Sequence, residues 1–248
     1  MSSISVTVIT LNEEEFLKRA LESIQDLADE IIIVDSGSTD QTLEIARHYS
    51  SKIYTRVFDN FANQKNYAAQ KANSEWILSL DGDEVIPNDL SKEIKKAVKE
   101  KSLDGYSMPR RNFILGKEIK HSRWSPDRHI WLWRKKSGKW EGEVHEEVVA
   151  DGLVGELKHA KIHYQTKSIG DFIRTNNTYA ALKAKEMYGS GVRFSVLRFF
   201  WDPLFEFSVR FVYKKGFLDG WRGLVLSLLM AFYQMEIWIK LLKIQTGK

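Results

Sequence analysis

Apolar and polar positions alternate along the first third of the chain in a strand–helix rhythm. Ile4–Thr10 is β-branched and mostly apolar, a buried strand. Phe16, Leu17, Ala20, Leu21 and Ile24 then recur at helical spacing, with Asn12 read as the N-cap and Glu15 at N3. A second strand, residues 30–34, breaks into the turn-forming loop Asp35-Ser36-Gly37-Ser38-Thr39-Asp40, followed by a helix carrying Leu43, Ala46 and Tyr49. Residues 53–58 read as a third strand, 63–72 as a short helix and 76–80 as a fourth strand. This order predicts an α/β fold: a mostly parallel sheet with helices on both faces.

Residues 105–164 change to short strands and basic loops, including Arg110-Arg111 and the run from Arg128 to Lys136. After about residue 166 the pattern is helical. Asp202-Pro203 is read as the cap and first residue of a helix through Tyr213, Gly216 as its stop, and Asp219 as the cap of an apolar helix over 223–242. The division expected is therefore 1–165, a nucleotide-binding catalytic domain, and 166–248, a helical region. The last helix nears the ~20 apolar residues that span a bilayer but carries Gln234 and Glu236, which favours an interfacial or core helix over a spanning one.

Composition narrows the chemistry. The chain has 248 residues, 43% hydrophobic and 28% charged, with ample core for a globular protein. It has no cysteine, which excludes disulfides, thiolate nucleophiles and zinc–thiolate sites. Met1 to Val6 shows neither a basic segment nor a long apolar one, so no signal peptide is expected. The net charge of +4 is uneven: residues 166–248 hold 13 basic against 6 acidic side chains, leaving the remainder at −3. Arg193, Arg198, Arg210, Lys214, Lys215 and Arg222 there interleave with aromatic residues, a mixture suited to anionic lipid. A helical cap or oligomer interface is the alternative. No nucleic-acid module accompanies these residues, and no nucleic-acid partner is expected.

Three strands run into polar loops: Thr10-Leu11-Asn12-Glu13, Asp35-Ser36-Gly37-Ser38 and Asp81-Gly82-Asp83. Parallel strands put these ends on one rim, where open α/β sheets bind ligands. Two carboxylates there can hold a hard divalent cation, and the cation a diphosphate. Each loop alone could equally be an ordinary turn.

The three blocks, in this order, resemble the family-2 inverting glycosyltransferases of the GT-A fold, a Rossmann-like nucleotide-diphospho-sugar transferase architecture. Val144-His145-Glu146-Glu147 and Tyr213-Lys214-Lys215-Gly216-Phe217-Leu218-Asp219-Gly220 resemble the lipopolysaccharide-core β-1,4-glucosyltransferases. The resemblance implies a UDP-sugar donor, glucose being the expected sugar, and a divalent cation, Mn2+ or Mg2+. It places Thr10, Asn12 and Glu13 along the nucleoside pocket and Asp35 against the uracil ring nitrogen. Asp81 would face the ribose or sugar, Asp83 would bind the metal with Asp81 beside it, and Lys65 of Gln64-Lys65-Asn66 would approach the donor. The implied acceptor is a lipid-linked glycan such as lipopolysaccharide inner core. The implied location is cytoplasmic, peripheral on the inner face of the plasma membrane.

Inverting transfer also needs a base on the acceptor side. Glu146 is the residue favoured by the resemblance, with Glu143 and Glu147 as alternatives and His145 as a supporting or metal-binding group. Arg128 and Arg134 are candidate phosphate ligands, because a guanidinium pairs with phosphate as a fork. Two other readings remain open on sequence alone: nucleotidyl or phosphoryl transfer, and a non-catalytic nucleotide-sugar-binding protein. No Walker-type loop supports the former, and no Gln-x-x-Arg-Trp signature of processive synthases is present.

Overall fold

The computed structural model describes residues 2–50, 52–142, 146–165 and 168–247. The chain divides into two units: residues 1–111 with 127–164, and residues 112–126 with 165–248.

The first unit is built on β1 (Ile4–Thr10), β2 (Glu30–Asp35), β3 (Lys52–Thr55) and β4 (Trp76–Asp81). They lie side by side in the order β3-β2-β1-β4, all parallel. Every residue of β1 is buried, as expected of a central strand covered on both faces. Helices α1 (Leu17–Glu22), α2 (Thr42–Tyr49) and α3 (Phe61–Lys71) make the connections. Beyond β4 the sheet turns antiparallel. β5 (Glu84–Val85) and α4 (Asn88–Ala97) precede β6 (Gly105–Ile114), whose last residues belong to the second unit together with β7 (Lys117–Ile119). β8 (Arg128–Arg134) runs antiparallel between β4 and β6. β9 (Gly138–Glu141) and β10 (Glu147–Ala150) form a separate two-stranded ribbon. β11 (Val154–Glu156) adds to β6, and β12 (Lys161–Gln165) pairs with β5. One continuous core joins Val6, Val8, Ile32, Leu78, Trp76 and Trp133.

Some local expectations fail for identifiable reasons. Asn12 does not cap the first helix: α1 starts at Leu17 behind Phe16 with no side-chain cap, and Asn12 sits at φ 55° facing the neighbouring loop. β3 stops at Thr55 because Arg56 turns to bind Asp59 and Gln64, leaving Val57 exposed. Helix α3 begins two residues before the expected start because Asn60 caps it, accepting from Asn63 N at 2.8 Å.

The second unit is mainly helical, with α5 (Ile169–Gly189), α6 (Val196–Phe207) and α7 (Trp221–Thr246). Ile114 and Ile119 pack with Phe172, Leu226 and Met230, and Arg222 donates to Leu115 O at 3.0 Å. Asp202-Pro203 lies inside α6 and does not open it: Ser195 is the cap, and Asp202 accepts from Trp238 Nε1 of α7 at 3.0 Å. A π-helical stretch, Ser208–Tyr213, follows. Asp219 likewise caps no helix; its carboxylate takes the backbone N–H groups of Lys120 and His121 at 3.1 and 3.0 Å. Helix α7 packs so closely on the turn before it that a Cβ on Gly223 would fall 1.8 Å from Gly216 O.

One face of α6 is uncovered. Val196, Leu197, Phe200, Trp201, Leu204 and Phe205 recur at i, i+1, i+4 and i+5 spacing, and each is more than half exposed. Among the described residues α7 is the one helix long and apolar enough to cross a membrane, by length and composition.

Candidate active site at the carboxyl edge of the sheet

Strand register decides where the site lies. Thr10 is level with Asp35, and Ile9 with Asp81, so the three polar loops leave the sheet together. β1 is flanked by β2 on one side and β4 on the other, which makes this the point where connections depart in opposite directions.

The first two loops are fastened to each other. Asn12 N donates to Ser38 Oγ (2.8 Å), Thr39 N to Asn12 Oδ1 (2.8 Å), and Glu13 N to Thr42 Oγ1 (2.7 Å). The left-handed backbone that Asn12 needs for this is one that asparagine tolerates well. Asp35 is fully buried and holds its own turn, accepting from Gly37 N, Ser38 N and the Ser38 hydroxyl. A carboxylate offers about four acceptor directions, and these bonds use three of them.

The third loop is held from below by Glu84. Its Oε2 accepts from Asp81 N at 3.1 Å and from Lys161 Nζ at 2.5 Å, and Arg110 lies 3.4 Å from Oε1. Glu84 and Lys161 are each only 1% exposed at the side chain. Burial works against ionising Glu84, but Lys161, His163 and Arg110 outweigh it and keep the carboxyl below its usual range. Gly82 completes the turn. A Cβ there would lie 3.0 Å from Thr10 Oγ1 and 3.3 Å from Glu13 Cγ, so any side chain at this position would have to displace these two by a few tenths of an ångström.

Asp81 and Asp83 differ in their surroundings. Asp81 Oδ1 is buried and accepts no hydrogen bond, although Lys65 Nζ lies 3.2 Å away, and the side chain as a whole is 30% exposed. Burial would raise its carboxyl, but Lys65, Lys161 and His163 hold it at about 2. Thr10 Oγ1 beside the same turn is also buried without a partner. Asp83 Oδ2 lies 3.2 Å from His163 Nε2, on β12.

Gln64, Lys65 and Asn66 of α3 reach three different segments. Gln64 donates to Ser36 Oγ at 2.9 Å, in the loop after β2. Asn66 pairs with both backbone groups of Trp140 on β9, at 2.8 and 2.9 Å. Lys65, 5% exposed, sits between Asp81 and Glu146, 3.0 Å from Glu146 Oε1, with Trp140's ring centroid 4.5 Å away. Burial alone would lower its pKa, but the charges of Asp81, Glu146 and Glu84 hold it above the usual lysine range.

Residues 5–148 match the model of the family described as Glycosyl transferase family 2. The chain belongs to this family. Two relatives are similar over nearly its whole length. A glycosyltransferase of Rickettsia typhi is 29% identical over 94% of this chain and 84% of its own. The lipopolysaccharide core biosynthesis glycosyltransferase LpsC of Rhizobium meliloti is 28% identical over 92% of this chain and 90% of its own. Among solved structures, a mycobacterial protein matches at TM-score 0.53, 12% identity, over 77% of this chain and 76% of its own. Glucosyl-3-phosphoglycerate synthase of Mycobacterium tuberculosis, in complex with phosphoglyceric acid, matches at 0.50, 14% identity, over 77% and 81%. The fold is thus the GT-A fold expected from the sequence, and the chain is a glycosyltransferase.

Within this family-2 enzyme the structure brings Thr10, Asn12, Glu13, Asp35, Lys65, Asp81, Asp83 and Glu146 to one edge of the first unit. Glu143 and His145 lie outside the described residues. Glu147 is 66% exposed at its side chain, 3.4 Å from His129 Nδ1. Arg134 is not at the site. It is paired in register with Trp76, at the opposite end of β4, and its guanidinium binds Glu75 and the carbonyls of Leu103 and Glu100. Arg128 donates to Ser107 and to Leu157 O and lies 3.9 Å from Glu156. A cavity of about 460 Å³ opens beside α3, lined by Asn66, Tyr67, Gln70, Lys135 and Lys139, with no carboxylate in its lining among the described residues.

Three residues at this edge were not among the expected site residues: His163, Lys161 and Arg110, the last read only as part of a basic loop and found on β6. Nothing near them resembles a motif, and they reach the loop only because β12 pairs with β5 and β6 lies beyond β8. The one available signal was Glu84, the carboxylate that follows Asp83 and opens β5, whose burial requires cationic partners from elsewhere.

Proposed function

We propose that this enzyme transfers a sugar, glucose in the first instance, from a UDP-sugar to a hydroxyl of a lipid-linked glycan, with inversion and with a divalent cation, Mn2+ or Mg2+. The observation that carries the cation is Asp83 beside the His163 imidazole, next to a buried Asp81 oxygen without a hydrogen bond. Carboxylate oxygens suit Mn2+ or Mg2+, and an imidazole nitrogen beside them favours Mn2+ of the two. Among the described residues no three potential ligands cluster, so the protein would supply one or two and leave the other positions to phosphate oxygens and water. When bound, such a cation offsets negative charge on the departing diphosphate.

The chain's own residues do the rest. Asp35 accepts the uracil N–H through its remaining acceptor direction, and Asp81 faces the ribose or the sugar. Glu146 takes the proton of the acceptor hydroxyl as that oxygen bonds to the anomeric carbon. The bond from that carbon to the phosphate oxygen breaks on the opposite side, and its electron pair leaves with UDP. The likeness to LpsC supports lipopolysaccharide inner core as acceptor, with another cell-surface glycan or lipid carrier as the alternative. The exposed α6 stripe, with Arg193 and Arg198 beside it, supports peripheral attachment to the inner face of the membrane.

Screening UDP-sugars for UDP release, with and without a lipid A–core acceptor, tests this reading. Release should require Mn2+ or Mg2+, stop with chelator, and fall about 100-fold in folded Asp83→Ala. Transfer undiminished in chelated Asp83→Ala would refute the cation's role. Nucleotide incorporation with pyrophosphate release would point to nucleotidyl transfer.

A further inference from the structure

The cation paired with Asp81 is also the cation on the candidate base. Lys65 Nζ lies 3.2 Å from Asp81 Oδ1 and 3.0 Å from Glu146 Oε1, and among the described residues it is the one cation paired with Glu146. The ammonium is buried under the Trp140 ring, where a charge interacts strongly with its neighbours. Its place is fixed from both sides: Gln64 anchors α3 to the loop after β2, and Asn66 anchors it to the backbone of β9.

We propose that Lys65 is a positioning residue that ties the acceptor-side Glu146 to the donor-side Asp81, rather than a ligand of the donor's phosphates. This rests on the reading of Glu146 as the proton acceptor. Two half-buried carboxylates so placed repel one another, and Glu146 immediately precedes β10, a strand of the ribbon outside the main sheet. A shared ammonium holds both at one separation, and that separation sets the distance from the anomeric carbon to the incoming hydroxyl. Misplacing a catalytic group by an ångström can cost about 100-fold in rate without loosening the substrate.

The test uses full-length protein and separates binding from turnover. UDP affinity is measured calorimetrically with Mn2+, and kcat from UDP release, for wild type, Lys65→Met, Lys65→Arg, Glu146→Gln and the double variant Lys65→Met/Glu146→Gln. Lys65→Met should lower kcat roughly 10- to 100-fold and change UDP affinity less than about threefold. The double variant should be no slower than Glu146→Gln, because both substitutions disable the same act. Lys65→Arg keeps the buried charge, and hence the fold, but displaces the donor; it should lower kcat several-fold at unchanged UDP affinity. A loss of UDP affinity that matches the loss of rate, in either Lys65 variant, overturns the proposal, as do losses that multiply in the double variant. Near-normal turnover in Glu146→Gln would instead remove the base assignment itself, and the positioning role with it.

Discussion

Replacing Glu30 by Gln should destabilise the first unit by an amount that depends on pH in a defined way. Glu30 opens β2 at the edge of the sheet opposite the site. Its carboxylate accepts from the Ser5 hydroxyl of β1, the Lys52 ammonium of β3 and the backbone of Asn73 and Ser74, just ahead of β4. Burial alone would raise this carboxyl. The bonds from Lys52, Ser5 and Asn73 prevail and bring it from 4.5 to about 2. Full linkage at about 1.4 kcal/mol per pKa unit gives about 3 kcal/mol as a ceiling. Lys52 is 39% exposed and screened by solvent, which reduces the expected cost to about 2 kcal/mol. Because the folded-state pKa is depressed, the contribution is complete above about 4.5 and fades as pH falls toward 2. Glutamine cannot ionise, so the gap between wild type and Glu30→Gln should be widest near pH 7 and shrink between pH 4.5 and 3. Urea unfolding followed by tryptophan fluorescence at pH 7, 4.5 and 3.5 measures it. An equal gap at all three pH values would refute the charge-based account.

Gly82→Ala should leave the protein folded but push the loop away from Thr10 and Glu13, lowering UDP affinity about tenfold; unchanged affinity would show that the turn has slack. Leu197→Glu with Leu204→Glu should abolish binding to anionic vesicles in a flotation assay. Turnover on a detergent-dispersed acceptor should stay within twofold of wild type, by an order-of-magnitude reading of membrane partitioning.

The parallel half of the sheet was legible because its strands are covered on both faces. Such strands are uninterrupted apolar runs, and in Ile4–Thr10 both ends are visible in the sequence. Asp81-Gly82-Asp83 was legible for a related reason: the run ends where the ligand side begins. Caps were less so. Asn12 and Asp219 have the right chemistry for helix N-termini, but each has stronger partners far away in sequence. Pro203 was misplaced because a proline two-thirds of the way along a helix leaves the same local signature as one at its start. Lys161 and His163 could not be placed at all without knowing that their strand returns beside β5.

The three consecutive contacts of Gln64, Lys65 and Asn66 have a bearing on how such enzymes can diverge. Successive helical residues point about 100° apart, so each of the three addresses a different wall. Inserting or deleting one amino acid in the opening turn of α3 would swing all three away from their targets simultaneously. Length variation is therefore tolerable in the flanking loops but not there, and a relative with an indel at this point should have lost transferase activity or rebuilt the whole corner.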